Sequence, residues 1–347
     1  MGYDYAEIDR LIAGYQKDHY FKQAAYAVFD REGILFQNVI GGINADGVFD
    51  LASLTKLYTT TILLRFIEEG QIRLDGRLCE YLRVPPRMEK LQKCFAEITV
   101  RQLLTHTSGF MAWYPFYAQK AEFYEILEKI LELPLRQDEM VYSDLNYMLL
   151  GMIVEKVAGC TLPEAVEKYI RRPLGIDRLC YCVGRDHPEW SAIISSYDNM
   201  PEEHMCEERG IVFDGFRPHG VSICGEANDG NCWYYFGGIS GHAGLFSDLA
   251  GVCRLGMFYL NTREKTFVEA QQEAGYSRGL GFQRGEMYPN GCGHTGYTGT
   301  SLYISAEHGV GAVLLTNRLT CATEGALPDL TRLRSEFHRE ALLCAGI

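Results

Sequence analysis

Three short strings in this chain hold residue types able to cooperate in chemistry. The first is Ser53-Leu54-Thr55-Lys56, at the head of a long apolar run. Residues three apart on a helix share one face, about one turn apart. At a helix start the serine also has free backbone N–H groups beside it. A lysine partly withdrawn from water has a lowered pKa and can accept or stabilise the serine proton, which makes the hydroxyl a nucleophile. The same residues also read as an N-cap serine with a solvated lysine. The second string is Tyr142-Ser143-Asp144. A phenol with cations nearby can act as a general base, while the plainer reading is a helix start with an acid near its N-cap. The third is Gly293-His294-Thr295-Gly296-Tyr297-Thr298-Gly299-Thr300. Its glycines would let a backbone approach a substrate closely, and a backbone N–H there can donate to an oxyanion. It reads equally as a glycine-rich turn before a strand.

The elements that must position these strings follow from hydrophobic periodicity. Ile8, Leu11, Ile12 and Tyr15 predict an amphipathic helix over residues 5–18. Residues 24–30 and 33–40 flank Arg31-Glu32 as a β-hairpin. Residues 53–69 predict a buried helix capped by Gly70, so the first string sits at a helix N-terminus. Further helices are expected over 120–132, 143–158 and 328–344, and a second hairpin over 301–306 and 310–316. Residues 183–230 read as loop. Strands thus lie at both ends of the chain with a helical insertion between them.

The chain has 347 residues, 47% hydrophobic and 22% charged, which is ordinary globular composition. Its formal net charge of -12, with no clustered basic patch, argues against nucleic acid and against anionic membrane surfaces as partners. Twelve cysteines include no C-x-x-C pair, so zinc ribbons and thioredoxin-like motifs lose their support. They read as free, mostly buried thiols in a reducing compartment. The acidic N-terminus lacks a signal-like h-region, and no apolar window reaches eighteen residues, so a cytoplasmic protein is expected. His106 and His242 lack metal-ligand spacing and read as structural histidines. Trp113, Tyr114, Phe116 and Tyr117 read either as core or as an apolar pocket wall, as do residues 233–236.

The order S-x-x-K, Y-x-(N/D), (K/H)-T-G resembles the three-part signature of serine penicillin-recognising enzymes, in its class C form with tyrosine in the second element. The flanking strings FDLASLTKLYTT, QLLTHTSG and GGISGHAGLFS strengthen the resemblance, which reaches from about residue 20 to residue 320. It points to the class C β-lactamase-related serine hydrolases, a family of esterases, D-amino-acid peptidases and transacylases. The resemblance implies an α/β fold of the α+β type. A discontinuous sheet domain would span 1–76 and 232–347, with a mostly helical insertion over 77–231. It implies Ser53 as nucleophile, Lys56 as its proton-sharing partner and Tyr142 as general base. The N–H groups of Ser53 and Tyr297 would form the oxyanion hole, and Asp144, His294, Thr295 and Gly296 would contact substrate. Relatives usually have Lys where this chain has His294, and often Asn where it has Asp144. Those departures favour a neutral or amine-bearing substrate over an anionic one. The expectation is an esterase on small carboxylic esters that works through an acyl-enzyme, without metal or organic cofactor. The alternatives are a D-amino-acid peptidase, amidase or weak β-lactamase, a transacylase, or a non-catalytic penicillin-binding-like sensor. Its partner would be a small ester or peptide substrate.

Overall fold

The computed structural model describes residues 4–137, 139–323, 326–344 and 346. Its main sheet has five antiparallel strands in the order β2-β1-β10-β9-β8. These are β1 (Ala24–Asp30), β2 (Ile34–Ile40), β8 (Cys292–Thr295), β9 (Ser301–Ser305) and β10 (Val310–Thr316). The centre is the pairing of β1 with β10, from Ala24 opposite Thr316 to Asp30 opposite Val310. Strict alternation sorts the side chains between two cores. Ala25, Ala27, Phe29, Leu302, Ile304, Val313 and Leu315 face the larger one. Ala24, Tyr26, Val28, Tyr303, Ala312 and Leu314 face the smaller. The smaller core is closed by the helices Ala6–Lys17 and Thr331–Cys344, through Ile8, Ile12, Leu333, Phe337 and Ala341. On the other face the helix Leu249–Asn261 packs on β1, β9 and β10.

A second sheet, β3-β7-β4, is small: β3 is Phe49–Asp50, β4 is Leu179–Tyr181 and β7 is Leu245–Ser247. A third pairs β5 (Ile194–Ser196) with β6 (Ile223–Cys224). The last pair lies within the stretch expected to be loop, which also contains the helix Met200–Glu207. The helix Thr55–Glu68 runs through the larger core with eleven of its fourteen residues buried, and this explains its near-uniform apolar sequence. It is preceded by a short 3-10 turn, Ala52–Leu54. The helix Asp144–Ala158 packs against it.

Among the described residues no single helix is long and apolar enough to cross a membrane. All twelve cysteines are free thiols, with only Cys79 and Cys224 exposed.

Candidate active site

Ser53 sits in the 3-10 turn, held in a frame of long-range bonds. The Asp50 carboxylate accepts from the N–H of Ala52 at 2.8 Å and of Asn228 at 2.7 Å. The Leu51 N–H donates to Leu245 on β7. Thr298 and Thr300 donate from the far side to the carbonyls of Asp50 and Leu51. A β-carbon on Gly296 would strike the Leu51 carbonyl, so glycine is required for this approach. Between these anchors Ala52 is forced to φ +45°, a left-handed conformation that costs a non-glycine residue on the order of 1 kcal/mol. Burial pushes the Asp50 carboxyl up to about 6, against the pull of its two backbone donors.

Lys56 is fully buried, and its ammonium has three partners. It donates to Ser53 Oγ at 2.8 Å, to the His242 carbonyl at 3.0 Å and to Asp144 Oδ1 at 2.8 Å. Burial alone would lower its pKa, but the Asp144 carboxylate and the Tyr142 phenol outweigh burial and the shift is upward. This corrects the expectation of a lowered lysine. Lys56 is a fixed positive charge and hydrogen-bond donor, not a proton acceptor. It corrects the reading of Asp144 too, because its carboxylate is committed to Lys56 and is not a free negative charge for a substrate amine.

The His242 loop reaches Lys56 because glycine meets glycine. Gly241 lies against Gly151 and the Tyr147 carbonyl with no room for a β-carbon. His242 itself is clamped, Nε2 to Asp229 at 2.9 Å and Nδ1 to Ser240 Oγ at 2.7 Å. His106 has the other structural role expected for it. It lies at φ +59°, and its Nδ1 accepts the Ser143 N–H at 3.0 Å. Burial, then the charges of Arg278 and Lys56, hold it neutral. Ser143 Oγ also donates to the Met111 carbonyl, and the Asp144 N–H to that of Ala112. These bonds fix the segment that aims Tyr142, whose ring has the Lys56 ammonium 5.1 Å from its centroid.

The third string divides into strand and turn. Cys292–Thr295 form β8 at the sheet edge, with His294 opposite Leu302. Residues 296–299 form the turn, closed by Gly296 N–H to Thr300 and Gly299 N–H to Gly296. Neither bond uses the Tyr297 N–H, so it remains available as an oxyanion donor. His294 differs from expectation in two ways. Its ring is buried beneath the pocket floor, with Nδ1 on the Thr295 carbonyl and Nε2 unpartnered among the described residues. Burial, followed by Lys56 and Arg278, pushes its pKa well down, so it is a neutral imidazole.

A cavity of about 280 Å³ opens over Ser53 and is lined by Tyr142, Asp144, Thr295, Gly296 and Tyr297 as well. Its remaining walls come from residues outside the three strings, among them Trp113, for which a pocket wall was one of two readings. Trp113 and Met205 supply an apolar side, and Glu202 and Asp229 an acidic one. Burial, then Asp229, raises the Glu202 carboxyl. Arg318 and Arg334 form a basic wall beside residues 295–297. Arg334 donates to the carbonyls of Gly296 and Thr300, and its Nε has no partner among the described residues. Burial and then Arg318 pull it down to about 10. Among the described residues neither arginine has a carboxylate within ion-pair distance. Phe116 belongs instead to the main core, and Tyr117 and Tyr234 to a separate aromatic cluster.

A nucleophile bonded to a buried cation, a phenol on the same cation and a free backbone N–H opposite make an acyl-transfer site. The β-lactamase family model matches residues 8–334, nearly the whole of this architecture. The chain belongs to the β-lactamase family. Its sequence is 30% identical over 311 residues to an Escherichia coli (strain K12) protein named "Putative D-alanyl-D-alanine carboxypeptidase", covering 78% of this chain and 69% of that protein. A solved class C β-lactamase superposes with a TM-score of 0.67 at 16% identity, covering 95% of this chain and 96% of that one. EstCE1, a hydrolase with promiscuous acyltransferase activity, superposes with a TM-score of 0.66 at 18% identity, covering 96% and 98%. This member of the β-lactamase family is a serine hydrolase with the β-lactamase/transpeptidase fold.

Proposed function

We propose that the protein hydrolyses short peptides ending in a free carboxylate, as a carboxypeptidase of the D-alanyl-D-alanine type. The observation that carries this reading is the pair Arg318 and Arg334 in the wall of the Ser53 cavity, with no carboxylate within ion-pair distance among the described residues and the more distant Asp329 facing both. Arg334, held down by burial and by the charge of Arg318, gains from an incoming anion. The expectation of a neutral or amine-bearing ester rested on His294 and Asp144. One of these is neutral and the other is already paired. The relative from Escherichia coli supports the same substrate class by its name.

Ser53 Oγ attacks the carbonyl of the penultimate residue, and the N–H groups of Ser53 and Tyr297 receive the oxyanion. The C-terminal residue leaves as a free amino acid, and water then releases the acyl group. Glu202, whose carboxyl is raised by burial, and Asp229, already paired with His242, line the cavity as hydrogen-bonding groups and suit a polar part of the substrate. A second reading, hydrolysis of small esters, is favoured by the apolar face of Trp113 and Met205. The twelve free thiols support a reducing compartment, the cytoplasm, as the place of action.

The test compares an N-acyl-D-alanyl-D-alanine peptide with its C-terminal amide and with a p-nitrophenyl ester. The free acid should be cleaved at least tenfold faster than the amide. Arg318→Gln and Arg334→Gln should each erase that preference through KM, by about tenfold, the order expected for a lost charge-assisted contact. Ser53→Ala should form no acyl adduct. Equal turnover of acid and amide would overturn the carboxypeptidase reading in favour of the ester one.

A further inference from the structure

Asp229 lines the Ser53 cavity and is tied down through one oxygen only. Its Oδ1 accepts from His242 Nε2 at 2.9 Å and from the Cys232 N–H at 2.7 Å. Its Oδ2 has no hydrogen-bond partner among the described residues, and the side chain keeps 23% of its surface open. Burial alone would raise the carboxyl's pKa, but His242, the Cys232 N–H and Lys56 outweigh burial and the shift is downward. Asp229 therefore brings a negative charge to the cavity with one oxygen unengaged. The carboxylate is aimed by a relay that reaches the nucleophile. Ser240 Oγ lies 2.7 Å from His242 Nδ1, so the buried imidazole is held at both nitrogens. The His242 carbonyl accepts from Lys56 at 3.0 Å, and the same lysine donates to Ser53 Oγ. One set of bonds thus positions Asp229 and Ser53 together.

Other acceptors of the cavity are spent or hidden. The carbonyls of Gly296 and Tyr297 accept from Arg334 and Arg318. Asp144 is paired with Lys56. Glu202 Oε2 accepts the Gly230 N–H at 2.9 Å, and its Oε1 is shut off from solvent. A β-carbon on Gly230 would strike the Glu202 carboxyl, so glycine is needed where the Asp229 loop meets the helix Met200–Glu207. Burial, followed by the charge of Asp229, raises Glu202 to about 8, so at neutral pH it is Asp229 that holds the charge of the two.

We propose that Asp229 is a specificity-determining residue, whose Oδ2 selects acyl groups that carry an N–H on the carbon next to the reacting carbonyl. Such an acyl group is an α-aminoacyl residue, and its N–H is either an amide or an ammonium. A carboxylate oxygen facing a cavity gains from an incoming N–H and is left unmatched by a plain aliphatic acyl group. An oxygen in place of the N–H is penalised further, because two acceptors then meet with no proton between them. Ser240 and His242 act as positioning residues that hold Oδ1 and leave Oδ2 toward the cavity. The inference rests on acyl transfer at Ser53, and it deepens the peptide reading by naming what the acyl residue must offer.

The test compares two p-nitrophenyl esters that differ in one group: that of N-acetyl-D-alanine, and that of O-acetyl-D-lactate, in which an oxygen replaces the N–H. Neither has a C-terminal carboxylate, so the result is separate from the carboxypeptidase reading and from Arg318 and Arg334. In the native protein kcat/KM should favour the N–H ester at least tenfold, the order for a hydrogen bond to a charged acceptor. In Asp229→Asn the amide oxygen stays on His242 and the Cys232 N–H, both of which donate, and the amide nitrogen takes the place of Oδ2. A donor then faces the cavity, and the preference should vanish or reverse. A merely structural Asp229 would slow both esters equally, so an unchanged ratio in folded D229N overturns the inference. Should D229N not fold, the native ratio decides: a tenfold preference supports the inference and equal turnover overturns it. No turnover of either ester overturns it as well. The p-nitrophenyl ester of D-alanine tells ammonium from amide, by which of the two N–H esters has the higher kcat/KM.

Discussion

Lys56 shows what a single side chain can do when its partners are arranged around it. Its charge is fixed by Asp144, so the hydrogen bond it gives Ser53 is charge-assisted at every physiological pH. Asp144→Asn would leave a buried ammonium without its counter-charge. Stability should fall by about 2–3 kcal/mol, below the range for a wholly buried pair because Asp144 borders the cavity. Urea denaturation measures this, and an unchanged midpoint would mean that the pair contributes nothing. Ser53, Lys56, Tyr142 and the 294–297 string were legible in sequence because each motif is local. The arginines were not. Arg318 follows β10 and Arg334 lies on the last helix. No spacing links residues that only the fold brings to one wall. The direction of the Lys56 shift was hidden for the same reason, since Asp144 lies far along the chain from it.

At the level of elements, the nucleophile's turn is the strained piece. Ala52 occupies a conformation that glycine adopts freely, and Asp50, Thr298 and Thr300 hold it there. Ala52→Gly should leave the thermal midpoint unchanged or raise it by a few degrees, as relief of about 1 kcal/mol is partly offset by glycine's entropy. Ser53 acylation should slow severalfold as the turn loosens. An unaltered acylation rate would show that the flanking anchors alone set the geometry. The two hairpins and the helix at 6–17 were readable from period 2 and period 3.6, and the helices at 55–68 and 144–158 as long apolar runs stopped by Gly70 and Gly159. Residues 183–230 looked like loop, and their short strands are held by distant partners: Val48 bridges to Ala192, and Asn317 donates to the Ile194 carbonyl on β5.

For the molecule as a whole, buried histidines set the response to acid. His338 lies against Tyr288 and Tyr303, and burial depresses it to about 3 from its ordinary 6.5. His106 and His294 shift the same way. The unfolded chain takes up these protons below pH 6.5 and the folded chain does not, so stability present above 6.5 is lost as pH falls toward 3. His338 alone accounts for about 2 kcal/mol between pH 7 and pH 5. Asp50, raised to about 6, and Glu202, raised to about 8, work in the opposite direction but together offset only about two of the three. Urea midpoints at pH 7 and pH 5 should therefore fall, and less steeply in His338→Gln. A stability flat across that interval would contradict the burial of these rings.

The pairing of β1 with β10 also governs how the chain comes into being. Strand β1 leaves the ribosome long before its central partner β10, with most of the fold's other elements made in between. Until then the small apolar residues of β1 have only the β2 hairpin, and an isolated hairpin is marginal in water. Closure across so large a sequence separation is slow. The nascent protein therefore carries an unfinished sheet edge until β10 has been made, a state in which chaperones have something to hold. The active site is subject to the same delay, because the turn that carries Ser53 is fastened by Thr298 and Thr300 and acquires its geometry only when the last third of the chain arrives.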